Sequence, residues 1–125
     1  MRIKKTSQYI EGGAGLPSYF TDEIDTGMKW TDGKPIYRKV IQGTKVSGST
    51  LVITINSCDT IINVYGYIKV NDNGTYYEYP LNYYESSSSF VRTNWMNGQI
   101  VIRSSTGTFI NGEAIVIAEY TKTTD

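Results

Sequence analysis

Chemistry at neutral pH usually starts from a histidine, a cysteine pair or facing carboxylates, and this chain is thin in all three. It contains no histidine, which removes imidazole bases, His-based triads, Cys–His dyads and most zinc sites together. Its single cysteine, Cys58, closes no intramolecular disulfide and builds no thiolate cluster. Set between Ser57 and Asp59 without a basic neighbour, it reads as a buried, inert thiol. No phosphate-cradling glycine loop, nucleophile elbow or EF-hand spacing occurs. What is left is an acid pair of the glycosidase kind, roughly 5–9 Å apart across a sugar groove. Glu78, Glu85 and Glu113 lie near aromatic-rich segments, yet they read more simply as solvated acids on strand faces and loops. Glu119, between Ala118 and Tyr120, reads as a strand-face residue paired to Arg or Lys across a sheet. The expectation is a protein without catalytic residues, metal or cofactor.

The positive signal is aromatic. Eleven tyrosines, three phenylalanines and two tryptophans bring the aromatic share to 13%. Tyrosine buries a ring while keeping a polar handle, so it serves cores, subunit interfaces and sugar-stacking surfaces alike. Tyr76, Tyr77 and Tyr79, then Tyr83, Tyr84 and Trp95, are the clusters that could face sugar rings. Tyr83 and Tyr84 adjoin a run of four serines and are the pair expected in solvent. Tyr77, Tyr83, Tyr84 and Trp95 are therefore the expected ligand contacts, with carbohydrate as the ligand class.

The totals exclude other partners. Twelve Lys plus Arg balance twelve Asp plus Glu, leaving no basic footprint for nucleic acid. Arg2, Lys4 and Lys5 are not followed by an apolar run, so a secretory signal does not fit, and no apolar stretch approaches a membrane span. A length of 125 residues fits one domain able to bury a core without staples.

The elements that must position these residues are strands. Residues 1–24 are polar and glycine-bearing, without a period of 2 or 3.6, and read as an extended arm, a linker or a disordered terminus. Residues 25–125 form the β domain. Asp32-Gly33 separates residues 28–30 from 35–41 as a hairpin signal. Strands are expected over 50–56, 61–70, 75–81, 90–95, 99–104 and 114–121, with 82–89 as a loop. Asn73-Gly74, Asn97-Gly98 and Asn111-Gly112 favour tight turns, which also accounts for the sequon-like Asn73-Gly74-Thr75. Short strands at such spacing, with no amphipathic helix and no repeat, predict an all-β fold, a β-sandwich or jelly roll with an extended N-terminal arm.

Two segments break the half-buried alternation. Ile100-Val101-Ile102 and Ile115-Val116-Ile117 are apolar on both faces, so a loop, the N-terminal arm or another subunit must cover the second face. Zero net charge and abundant tyrosine favour the subunit, with Ile100, Ile102, Ile115, Ile117 and Tyr120 at the interface.

Two short segments carry a resemblance. The run Trp30-Thr31-Asp32-Gly33-Lys34-Pro35-Ile36-Tyr37-Arg38-Lys39 resembles a W-x-D-G-K-P-I-Y-R-K motif found in C-terminal domains of tail-fibre, head-fibre and receptor-binding proteins of tailed bacteriophages. Upstream, Tyr19-Phe20-Thr21-Asp22-Glu23 is similar to the Y-S-T-x-E element that precedes that motif, with Phe20 in place of serine. The ending Tyr120-Thr121-Lys122-Thr123-Thr124-Asp125 resembles the Y-T-K-T-T-D tail of such chains. The resemblance implies a homotrimeric β-sandwich tip or ornament on a virion, made in the bacterial cytoplasm. On it the chain is either a small separate ornament or attached to other virion proteins through the N-terminal arm, and the tyrosine surplus points to a host-surface carbohydrate as ligand. The resemblance carries over no catalytic residue, since the motif reads as a structural hairpin.

Overall fold

The computed structural model describes residues 18–45, 50–105 and 112–125, with residues 43–45 as backbone only. Every element among them is a strand: β1 (Ile24–Lys29), β2 (Pro35–Lys45), β3 (Thr50–Thr54), β4 (Cys58–Asp72), β5 (Thr75–Pro80), β6 (Tyr83–Ser86), β7 (Ser89–Met96), β8 (Gln99–Ser104) and β9 (Glu113–Lys122). They form two antiparallel sheets, ordered β1-β2-β9-β4-β5 and β3-β8-β7-β6. The buried faces of both sheets contribute to one hydrophobic cluster, with Ile68, Val116 and Ala118 from the first sheet beside Ile53, Val91, Ile100 and Ile102 from the second. Ile68, Ile100 and Ile102 are fully buried, and each contributes roughly 1.5–3 kcal/mol by leaving water.

Turn chemistry sets the local register. Asn73 and Gly74 take φ of 52° and 89°, and Asn97 and Gly98 take 52° and 75°. Positive φ at both central residues is the two-residue hairpin geometry whose twist matches the flanking strands. The Asp32-Gly33 hairpin is built differently. Gly33 alone takes positive φ there (88°), the Gly33 N–H donates to the Trp30 carbonyl, and the Asp32 carboxylate accepts from the Lys34 N–H. Of the third Asn-Gly pair, Asn111 lies outside the described residues.

The expected loop over 82–89 is a hairpin instead. Tyr83 pairs with Val91 and Tyr84 with Phe90. The Ser86 and Ser88 hydroxyls, 3.1 Å apart, brace the reversal. The serines mask two β-favouring tyrosines, one of which packs against the core.

Burial corrects the interface assignment. Ile100, Ile102 and Tyr120 are 0%, 0% and 1% exposed, so they belong to the chain's own core. The outward residues of β8 are Gln99, Val101 and Arg103, so that strand has one apolar face rather than two. In β9 the inward residues are Ala114, Val116, Ala118 and Tyr120, which leaves Ile115 and Ile117 half-buried on the outer face. In β4, irregular pairing between Ile61 and Asn63 breaks the period of 2, turning Ile61 toward Tyr120 and the core.

Residues 18–24, part of the expected N-terminal arm or linker, are fastened to the first sheet. The Phe20 carbonyl accepts from the Val40 N–H at 2.9 Å. The Tyr19 ring lies 4.9 Å from the Arg38 guanidinium carbon, and Ile24 already pairs with Arg38 in β1. The rest of the expected arm, residues 1–17, lies outside the described residues.

Candidate functional site

The expected carbohydrate contacts fall in three places. Tyr77, Tyr79 and Tyr83 form a chain of rings across the open side between edge strands β5 and β6, with centroid separations of 6.5 Å and 5.0 Å. The Tyr83 hydroxyl donates to the Glu85 carboxylate at 2.9 Å, and that bond pushes the phenol pKa up. Tyr84 points the other way and is 74% exposed. It lines a surface cleft of about 340 Å³ with Phe90, Val91 and Arg92. Trp95 stands at the far end of β7, about 13 Å along the strand from Val91. There it lines a separate cleft of about 390 Å³ with Met96, Val101 and Arg103. Tyr77 and Tyr83 are thus joined through Tyr79, Tyr83 also borders the cleft that Tyr84 lines, and Trp95 belongs to a separate surface.

The acids do not converge. Glu78 and Glu113 both stand in cross-strand register with Lys69, one on either side, on the outer face of the first sheet. Glu85 is on the second sheet, bonded to Tyr83. Glu119 pairs as its sequence context predicts, accepting from Arg38 Nε at 2.9 Å and Nη2 at 2.7 Å, with both side chains near one-eighth exposed. Among the described residues, no group of three or more His, Cys, Asp or Glu is placed to hold a metal. Cys58 is half-buried, and burial, then the Asp59 charge, pushes its thiol pKa up.

Sequence reasoning missed a pair of arginines. Arg92 and Arg103 are directly opposite one another on the outer face of the second sheet. The signal was present: each lies five residues from the Asn97-Gly98 pair, and a two-residue turn fixes that register. Arg92 also lies over the Phe90 ring, 5.8 Å from its centroid.

The residues of the two sequence anchors meet one another. Tyr37 donates to the Asp125 carboxylate at 2.7 Å, which pushes the phenol pKa up to about 12, and its ring sits 6.3 Å from that of Tyr120. Glu23 accepts from the Tyr120 hydroxyl and pairs with Lys122 at 2.7 Å. Lys34 pairs with Asp59 at 2.7 Å and donates to the Lys122 carbonyl at 3.3 Å. Buried Thr121 accepts from the Thr60 N–H, and the Thr123 N–H donates to the Ser57 carbonyl. The bonds of the motif residues therefore tie the segment before β1 to β9, and β2 and β4 to the C-terminal end of the chain.

Above this framework runs an apolar row on the outer face of the first sheet. Val40, Ile117 and Tyr65 are in cross-strand register, with Ile115 and Tyr67 alongside. Val40 is buried, whereas Ile115, Ile117, Tyr65 and Tyr67 are half-buried. No protein-family model, curated protein or solved structure matches this chain.

Proposed function

We propose that this chain is a bacteriophage virion structural protein, a tail- or head-fibre tip or ornament, which assembles as a homotrimer and binds a host-surface glycan. The observation that carries the assembly half is the apolar row of Ile115, Ile117, Tyr65 and Tyr67, which the chain's own described residues cover only in part. Apolar area of that kind is what a subunit contact removes from water. The phage assignment draws on the resemblance, and the bonding between its two anchors supports reading them as one structural unit.

On this reading the two sheets form a β-sandwich. Sheet changes at β2–β3, β3–β4, β5–β6 and β8–β9 suit a jelly-roll-like winding, while the β4–β5 hairpin and the β6-β7-β8 meander depart from it. The N-terminal segment serves as the arm that joins other virion proteins. Clustered weak glycan sites on three subunits gain avidity through effective concentration.

Light scattering on the purified chain tests the assembly. A mass near three times 14.0 kDa is expected, and a monodisperse mass of 14.0 kDa removes the homotrimer. A second reading, an ornament or adaptor without receptor binding, is favoured by the commitment of Tyr79 and Tyr83 to internal contacts. Particles lacking the protein that adsorb normally but break easily would select it.

A further inference from the structure

The outer face of the second sheet carries a charge arrangement that its own fold does not explain. Arg92 and Arg103 face each other across β7 and β8, where directly opposed side chains have Cβ atoms roughly 4.5–5.5 Å apart. Like charges so placed destabilise a sheet. The outward residues around them are Thr50, Val52 and Thr54 on β3, Gln99 and Val101 on β8, and Asn94 and Met96 on β7. Phe90 and Tyr84 continue the face onto β6. None of these is acidic, and among the described residues no carboxylate pairs with either arginine.

We propose that this face binds an anionic polysaccharide, whose acidic groups seat between Arg92 and Arg103 and whose rings lie against Tyr84 and Phe90. The inference rests on the glycan-binding reading above and assigns that ligand a charge and a location. Charge complementarity selects the occupant. A guanidinium fork matches a carboxylate or phosphate, and one such group between two forks removes the repulsion that the bare face carries. Arg92 lines the cleft that holds Tyr84 and Phe90, and Arg103 lines the neighbouring cleft with Trp95. A linear acidic polymer can therefore cross from one to the other, with Asn94 and Gln99 within the second cleft to meet hydroxyls. A second copy of the chain is a poor occupant, because burying unpaired guanidinium groups against further guanidinium groups costs more than the Val52 and Met96 contacts return. Nucleic acid is disfavoured by the zero net charge and by the presence, among the described residues, of only two cations on the face.

The test is biolayer interferometry of the full chain against immobilised polygalacturonate (carboxylate) and phosphomannan (phosphate), with methyl-esterified polygalacturonate as the neutral form. Binding to at least one acidic polymer is expected at low salt, weakening steeply as salt rises. The methyl ester, and the double variant Arg92→Gln/Arg103→Gln against either polymer, should bind at least tenfold more weakly. A Lys29→Gln/Lys69→Gln variant, which removes the same charge elsewhere, should stay within about twofold of the wild type. Because the repulsion is relieved, Arg92→Gln/Arg103→Gln should melt about 1–4 °C higher, which separates lost binding from lost folding. Equal binding by that variant, equal loss in the lysine variant, tighter binding to single-stranded DNA, or no binding to either acidic polymer would overturn the proposal. A trimer whose host adsorption survives Arg92→Gln/Arg103→Gln leaves the virion reading standing without it. Polymer binding by a monomer does the reverse.

Discussion

Replacing Glu23 tests whether the segment ahead of β1 is part of the folded domain. Its carboxylate accepts from the Tyr120 hydroxyl and pairs with Lys122 at 2.7 Å. Tyr120 is 1% exposed, so Glu23→Ala leaves a buried phenol without its acceptor, at about 1–3 kcal/mol. The ion pair is about one-quarter to one-third exposed and adds roughly 0.2–1 kcal/mol. A loss near 2 kcal/mol is therefore expected. With an unfolding entropy of about 2.1 cal/mol/K per residue, a domain of 125 residues shifts by about 4 °C per kcal/mol. Glu23→Ala should then lower Tm by about 8 °C, while Glu23→Gln, which keeps an acceptor oxygen, should lower it by about 2–4 °C. Burial alone would raise the Glu23 carboxyl pKa, but the bonds from Lys122 and Tyr120 outweigh it and hold the pKa below its ordinary 4.5. A depressed carboxyl contributes its full stability above 4.5 and loses it as pH falls through the lower folded value. The gap between wild type and Glu23→Gln should therefore close on acidification below pH 4.5. Thermal melts across pH measure all three quantities. A Glu23→Ala protein that melts within a degree of wild type at neutral pH, or a Gln variant as damaged as the Ala variant, would refute the reasoning.

Of Gly27, Gly33, Gly66, Gly74 and Gly98, Gly66 is the least open to change. A Cβ there would sit 2.0 Å from the Ile115 carbonyl oxygen at a φ of 134°, so Gly66→Ala should cost roughly 3 kcal/mol or more, against about 1–2 kcal/mol for Gly27→Ala, which meets open space. Chemical denaturation compares the two, and equal costs would refute the close approach. At the alkaline end, Tyr37 is pushed up to about 12 by Asp125 and burial, and Tyr65 to about 12 by burial, a hydrogen bond with Tyr19 and the Glu119 charge. Burial and Glu23 raise Tyr120 as well. Phenols so raised hold their protons more tightly when folded, so the contribution of Tyr37 and Tyr65 is complete below pH 10 and is lost as pH rises through about 12. Phenolate absorbance should show Tyr37, Tyr65 and Tyr120 titrating last, together with unfolding. All eleven tyrosines ionising in one step near pH 10, with the fold intact, would contradict that assignment.

What the sequence determined by itself was local. The all-β class, the placing of most strands and the Asn73-Gly74 and Asn97-Gly98 turns follow from period-2 alternation and from residues that tolerate positive φ. The opposition of Arg92 and Arg103 was equally legible, because a two-residue turn dictates its own register. What only the tertiary structure decided was which face of a strand meets the other layer. Alternation divides β9 into Ile115 and Ile117 on one side and Val116 and Ala118 on the other, but apolar residues on both sides leave the inward one unspecified until the second sheet packs against one of them. Irregular pairing in β4 likewise inverts Ile61 without any mark in the sequence. The bonds of Glu23 to Tyr120 and of Arg38 to Glu119 span 97 and 81 residues. Contacts of that separation arise from the order in which strands assemble, a property of the whole chain that no local window contains.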